Sequence, residues 1–383
     1  AADFIAGSRH TTRYAAKKAT FSTFDHECMA LALRLARKGL FTTDPNPRVG
    51  CVVASDQQIA GAGWHEQAGG VHAEIAALQD AGGSVRGKTA YVTLEPCSYH
   101  GRTPPCTEAL IEAGIARVVI ASEDPNPRVN GGGLQRLSAA GIKVETGLMS
   151  EEAEALNVGF ISRMKAGRPW LRIKSAISLD GRTALRNGES KWITGQASRN
   201  DVQRWRARSS AILTGIGTVL ADNPAMDARV NEPVQQPLRV VADSRWQTPP
   251  DSKILAGPGA VLIAGDDSVP VPSALASSKA QCLGLPAKDG RVDLQALLKS
   301  LAEMEVNEVQ VEAGARLCGA LFEERLVDEL LVYQAPVLLG DGGPGLLALG
   351  PLESMAGRAH LTVLEVSRFG DDLRIRLQPD FRQ

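Results

Sequence analysis

Short β-branched runs alternate with helix-patterned segments along this chain, and the alternation occurs twice. The first series opens with "HECMALALRLARKG", whose apolar residues recur at helical spacing and stop at Gly39. A proline-punctuated turn, "DPNPRVG", leads into the strand-like "VGCVVAS". "GKTAYVTLEPC" and "ARVVIAS" read as further strands, "CTEALIEAG" and "LQRLSAAG" as helices, and "KVETG" as a last short strand. Such alternation predicts a sheet with helices on its faces. After the helical stretch "EAEALNVGFISRM", Gly167 and Pro169 in "MKAGRPWL" mark a joint.

Beyond that joint a second series begins with the strand "WLRIKSAIS" and the helix "GQASRNDVQRWRAR". Strands "AILTG", "LRVVAD", "GAVLIAG", "EVQVEAG" and "DELLVYQAPVLLG" follow, with helices "VDLQALLKSLAEM" and "ARLCGALFEERL" among them. The halves show no internal repeat. A chain of 383 residues is long for one core. The expected organisation is a tail over 1–23, an α/β domain over 24–168 and a second α/β domain over 169–383. The opening "AADFIAGSRHTTRYAAKKAT" lacks a secretory apolar region ending in a cleavage site and reads as a tail.

Composition narrows the function classes. A net charge of −1 and 4% aromatic residues give no footprint for nucleic acid or an anionic membrane. No apolar run approaches the ~20 residues that span a bilayer. Six cysteines, unevenly spread and without a secretory signal, fit a reducing cytoplasm, where clustered cysteines are better read as metal ligands than as disulfides. Cys28, Cys282 and Cys318 read as buried small hydrophobes, and Cys51 as a strand residue near a pocket.

"HAEIAALQDAG" places His72 and Glu74 at the start of a helix. Alone, the pair reads more readily as surface capping than as chemistry. "TLEPCSYHGRTPPC" changes its weight, because Cys97 follows a strand and Cys106 opens the next helix. One imidazole and two thiolates are the three protein ligands of an open zinc site. Two thiolates cancel the charge of the metal, so a nearby carboxylate is needed to carry the proton, and Glu74 is read as general acid/base and not as a ligand. The pattern matches H-x-E…P-C-x-x-C except for its longer cysteine spacing.

Together with "PNPRVG", these motifs make residues 24–168 resemble the pyrimidine deaminase domain of riboflavin biosynthesis, within the cytidine deaminase superfamily. The resemblance implies zinc on His72, Cys97 and Cys106, proton transfer by Glu74, and substrate contacts from Asn46, His65 and Arg102. Tyr99 departs from the family pattern, which has histidine there; a tyrosine hydroxyl still donates a hydrogen bond but supplies no cation.

In the second half, "KSAISLDGRTA" and "ESKWITG" accompany two glycine turns that follow strands, at Gly215 and Gly217 and at Gly314. Glycines there let backbone N–H groups approach a phosphate. The set resembles the reductase domain of the same pathway, which is similar to dihydrofolate reductase in fold. The resemblance implies NADPH held by Ala176, Trp192, Thr218, Asp222, Ser244 and the segment Gly314, Ala315, Arg316, Leu317, Cys318, Gly319 and Ala320. It implies substrate contacts from Lys174, Ser190, Arg206, Met226, Arg229 and Glu312. Arg206 and Arg229 flank "TGIGTVLADNP" and are expected to clamp the substrate phosphate, since planar guanidinium donors match a dianion.

The fold expected is therefore a cytidine-deaminase-like α/β/α domain followed by a dihydrofolate-reductase-like α/β domain. The function expected is a bifunctional enzyme that deaminates a diaminopyrimidinone ribosyl phosphate with zinc, then reduces the ribosyl chain with NADPH. Its partners are small-molecule substrates, without nucleic acid or membrane, and family resemblance implies a homo-oligomer, dimer or tetramer. Two alternatives predict different features. A nucleic-acid base deaminase with an accessory domain calls for a basic, aromatic channel. A module around structural zinc calls for a fourth protein ligand.

Overall fold

The computed structural model describes residues 20–55, 57–99, 104–127 and 129–381. Arg102 and residues 1–19 of the expected tail lie outside the described residues. The first helix, Thr23–Ala36, begins earlier than the apolar pattern suggested. Ser22 and Asp25 form a reciprocal capping box that pulls the last residues of the expected tail into the helix and its cap.

The first sheet contains β1 (Gly50–Ser55), β2 (Gln58–Trp64), β3 (Thr89–Leu94), β4 (Arg117–Ser122) and β5 (Lys143–Thr146), in the order β2-β1-β3-β4-β5. β1 runs antiparallel to both neighbours, while β3, β4 and β5 are parallel. Side chains alternate across the strands. Cys51, Val53, Val92 and Ile120 pack on one face with Ala77, Leu110 and Leu137 of three helices. Val52, Tyr91 and Val119 pack on the other with Cys28, Met29 and Leu33 of the first helix.

The second sheet contains β6 (Trp170–Ile177), β7 (Ala211–Gly215), β8 (Leu238–Ala242), β9 (Val261–Asp266), β10 (Gln281–Leu285), β13 (Glu308–Val311), β14 (Glu329–Gln334), β15 (His360–Phe369) and β16 (Asp372–Asp380). A two-stranded hairpin, β11 (Ala287–Lys288) and β12 (Arg291–Val292), lies apart. The nine strands follow the order β10-β9-β8-β7-β13-β6-β14-β16-β15. All pairs are parallel until β16 and β15 add an antiparallel edge. Leu294, Leu297, Leu298 and Leu301 of one helix bury against Leu171, Val240 and Val309 on one face. Cys28 and Cys318 are buried as expected, but Cys282 is only half-buried.

Between the sheets, the stretch read as one helix is two, Ser150–Leu156 and Val158–Ala166, broken at Asn157. The Asn157 amide pairs with the backbone of Arg48 in both directions. Arg48 reaches on to Glu308, a fully buried carboxylate of β13 that also meets Arg172 and Arg208. Burial opposes the ionisation of Glu308, but Arg208, Arg48 and Arg172 outweigh it and hold the carboxyl far below the usual range. Among the described residues, no helix is long and apolar enough to cross a membrane.

Candidate active sites

His72 is the N-cap of the helix Ala73–Asp80, and Glu74 lies in its first turn, buried. That helix sits directly on β2 because Gly61 and Gly63 carry no side chain. A Cβ there would come within 2.3 Å of the Ala77 carbonyl oxygen and 2.5 Å of the Ala77 nitrogen. Cys97 follows β3 through Glu95 and Pro96. The buried Glu95 carboxylate fixes this exit by accepting from the backbone N–H groups of Asp124, Gly131, Gly133 and Leu134. Cys106 is the first residue of the helix Cys106–Glu112, and its N–H donates to the Cys97 sulfur at 3.3 Å.

The ligand atoms of His72, Cys97 and Cys106 all lie within 4.8 Å of one another. His72 Nδ1 is 3.1 Å from Cys106 Sγ and 3.7 Å from Cys97 Sγ. Tetrahedral zinc with ordinary Zn–N and Zn–S bonds separates its ligand atoms by about 3.5–3.8 Å, so the triad fits such an ion. Charge agrees. The Cys106 thiol and then His72 bring the Cys97 thiol well below the usual thiol range, against the opposing effect of burial. That hydrogen bond and burial push Cys106 up, so a second thiolate needs a cation to balance it. Glu74 is pushed up to about 7, first by burial and then by the Cys97 thiolate.

Asn46 and His65 converge on the same place. Asn46 Nδ2 lies 3.1 Å from His65 Nε2, and His65 Nδ1 lies 2.9 Å from the Val71 carbonyl. The carbonyl requires Nδ1 to carry the proton, which leaves Nε2 to accept from Asn46. Burial lowers the His65 pKa and favours this neutral ring, whose plane meets that of His72 edge-on at 5.5 Å. Tyr99, in the loop between the two cysteines, is exposed.

In the second sheet β7 and β13 are parallel neighbours, so the turns after them lie side by side at the carboxyl ends of the strands. Gly215 faces the Leu317 side chain, and Gly314 caps the helix Ala315–Glu323. Thr218 and Asp222 lie in the helix Ile216–Asp222, and Lys191 ties Ser190 and Trp192 to it through a 3.3 Å pair with Asp222. Trp192 is 71% exposed beneath the Arg199 guanidinium, which suits a stacking surface and not a core residue. Ala176 is the penultimate residue of β6 and pairs with Tyr333 of β14. The Ser244 hydroxyl accepts from Val292 N–H. Cys318 and Gly319 are buried, while Arg316 in the first turn of their helix is exposed.

Arg206 grips Glu312 through both carboxylate oxygens, at 2.6 and 2.9 Å, and also contacts the Met226 sulfur. Burial opposes ionisation of Glu312, yet Arg206, Lys174 and Gln310 hold it at about 2. Burial lowers the pKa of Lys174, which lies beside this pair. Arg206 is already matched by a carboxylate, whereas Arg229 leaves 64% of its side chain exposed with only a 3.6 Å contact to Asp227.

Comparison with known proteins gives these sites a context. Residues 22–122 match the cytidine and deoxycytidylate deaminase zinc-binding region, and residues 169–375 match the RibD C-terminal domain. The riboflavin biosynthesis protein RibD of Escherichia coli is 47% identical over 367 residues, spanning 92% of this chain and 99% of that one. The chain belongs to the RibD family. The RibD protein of Haemophilus influenzae is 43% identical over 94% of this chain and 98% of its own. RibD of Acinetobacter baumannii superposes with a TM-score of 0.87 at 44% identity, covering 93% of this chain and 99% of that one. A Thermotoga maritima structure described as a diaminohydroxyphosphoribosylaminopyrimidine deaminase/5-amino-6-(5-phosphoribosylamino)uracil reductase gives 0.83 at 32%, with the same coverage. As a RibD member this chain is a bifunctional enzyme of riboflavin biosynthesis, a zinc-type deaminase followed by an NADPH-using reductase. The two expected α/β folds hold.

Sequence reasoning missed several residues that organise these RibD sites. Glu95 sits in "TLEPC", where a glutamate ending an apolar strand signals a buried carboxylate with a job. Gln310 donates to Glu312 at 2.8 Å from within a strand of valines. The Arg48–Glu308 pairing spans the two domains and leaves no local signal.

Proposed function

We propose that the first domain hydrolyses the exocyclic amine of a diaminopyrimidinone ribosyl phosphate, and that the second reduces the ribosyl chain of the deaminated product to ribityl. Convergence of His72, Cys97 and Cys106 beside the buried Glu74 carries this reading. These three residues hold zinc, which when bound supplies Lewis acidity toward water. Glu74 takes the proton released from water and passes it to the leaving amine. Burial raises the Glu74 carboxyl above the usual carboxylate range, which favours its taking up a proton and returning it. Asn46, His65 and Arg102 orient the pyrimidine.

In the second domain NADPH supplies the hydride. The turns at Gly215 and Gly314 offer backbone N–H groups to its phosphates, and Trp192 offers a stacking face. Lys174, Glu312 and Arg206 position the sugar, while Arg229 faces the phosphate. Domain limits near residue 168 belong to the same reading, supported by the separate sheets. So do a homo-oligomeric state and a cytoplasmic location. The edge strand β15 leaves Val363 and Val366 more than half exposed, and none of the six cysteines is paired.

Metal analysis tests the first step. The purified chain should carry one zinc, and Cys106→Ser should lose both the metal and ammonia release while NADPH-dependent reduction persists. Full zinc content in Cys106→Ser would contradict the ligand set.

A further inference from the structure

The loop that carries Asn46 is held on its near side by the other domain. Asp44 Oδ1 accepts from the Ser210 hydroxyl at 2.9 Å and from Asn307 Nδ2 at 2.9 Å. The same Asn307 nitrogen donates to the Pro45 carbonyl at 2.9 Å. Arg163 donates to Asn307 Oδ1 at 2.7 Å, which fixes the amide with its nitrogen toward the loop. The Ser210 oxygen in turn accepts from the backbone N–H groups of Asn307 and Glu308. Two residues beyond Asn46, Arg48 closes the clamp on Glu308. Asn46 itself turns back through its N–H to the Thr43 carbonyl and points its amide at His65.

Asn307 lies just before β13, at the opposite end of the strand from Glu312. At ~3.3 Å per residue, roughly 16 Å of strand separates it from the reductase pocket. Its side-chain contacts are thus directed at the loop, not at the chemistry of its own domain.

We propose that Asn307 is a positioning residue for the deaminase: by holding Asp44 and Pro45, it sets where Asn46 meets the pyrimidine in the other domain. The proposal rests on the reading of Asn46 as a substrate contact. It gives the reductase domain a second task, as a fixed base for the substrate loop of its neighbour.

Asn307→Asp tests it in the full-length, zinc-loaded chain. The substitution keeps size and the acceptor for Arg163, but turns a donor into a carboxylate facing Asp44 and the Pro45 carbonyl. The deaminase KM should rise by about tenfold with kcat changed by less than about twofold, because uniform binding is lost. Zinc content and reductase kinetics should not change. Asp44→Asn combined with Asn307→Asp restores one donor–acceptor pair and should recover most of the lost KM. Asn307→Ala, which adds no charge, should give a smaller rise of about threefold and serves if the aspartate variant fails to fold. An unchanged KM in the Asn307 variants beside a raised KM in Asn46→Ala overturns the positioning role alone. An unchanged KM in both overturns the assignment of Asn46 on which it rests. Parallel loss of both activities with lowered thermal stability and no shift in KM also overturns the proposal, since it marks a purely structural residue.

Discussion

Glu74→Gln should release ammonia at least about a hundredfold more slowly than the natural chain while keeping its zinc. A positioned acid/base contributes about 10²–10⁴-fold, and a glutamine accepts and returns no proton. The substitution is isosteric and leaves His72, Cys97 and Cys106 untouched. It also removes a carboxyl whose ionisation burial already disfavours, so the fold loses little. Steady-state ammonia release, read with zinc content on the same preparation, separates this result from metal loss. Full turnover in a zinc-loaded Glu74→Gln protein would contradict the role of Glu74.

Arg206→Ala should lower the reductase kcat/KM by about two to three orders of magnitude, equally on phosphorylated and dephosphorylated substrate. Removing one member of a buried ion pair costs about 3–5 kcal/mol because the other charge is left uncompensated. Here Glu312 would keep only Lys174 and Gln310. Arg229→Ala should behave differently. Its largely exposed guanidinium has a 3.6 Å contact with Asp227 and room to meet a phosphate, and loss of one charge-assisted hydrogen bond, worth about 1.5–3 kcal/mol, should raise KM by about tenfold or more on the phosphorylated substrate alone. Reductase kinetics on both substrates decide the matter. Equal losses on the two substrates in Arg229→Ala would contradict its assignment to the phosphate.

The contrast between these arginines shows where the sequence is legible and where it is not. Family resemblance and their flanking positions in sequence pointed Arg206 and Arg229 to one pocket, but the carboxylate that matches the helical Arg206 lies 106 residues away, just past the end of β13. The candidate metal ligands His72, Cys97 and Cys106, which the fold brings together, were readable because a helix start, a strand end and a second helix start each carried its own local motif. The long β-branched strands were equally plain. β2 was missed because "QIAGAGW" is rich in small residues, chosen for close helix contact and not for strand propensity. β15 and β16 were missed because an edge hairpin alternates charged and apolar residues, as in "VLEVSRF" and "LRIRLQ", and buries little on either side. The clamp on Asp44, Pro45 and Arg48 was invisible for a different reason. Its partners, Ser210, Asn307 and Glu308, are ordinary residues at the base of a strand until the fold brings the loop to them.

The central claim is that one chain deaminates first and reduces second. Simultaneous time courses of ammonia release and NADPH oxidation, started from the diaminopyrimidinone ribosyl phosphate, test it most directly. The account predicts that NADPH oxidation lags ammonia release and reaches one NADPH per ammonia. It also predicts that Glu74→Gln slows both signals on this substrate by at least about a hundredfold, yet oxidises NADPH at the natural rate when given the deaminated product. Oxidation of NADPH by Glu74→Gln on the diamino substrate, without ammonia, would contradict the order of the two reactions.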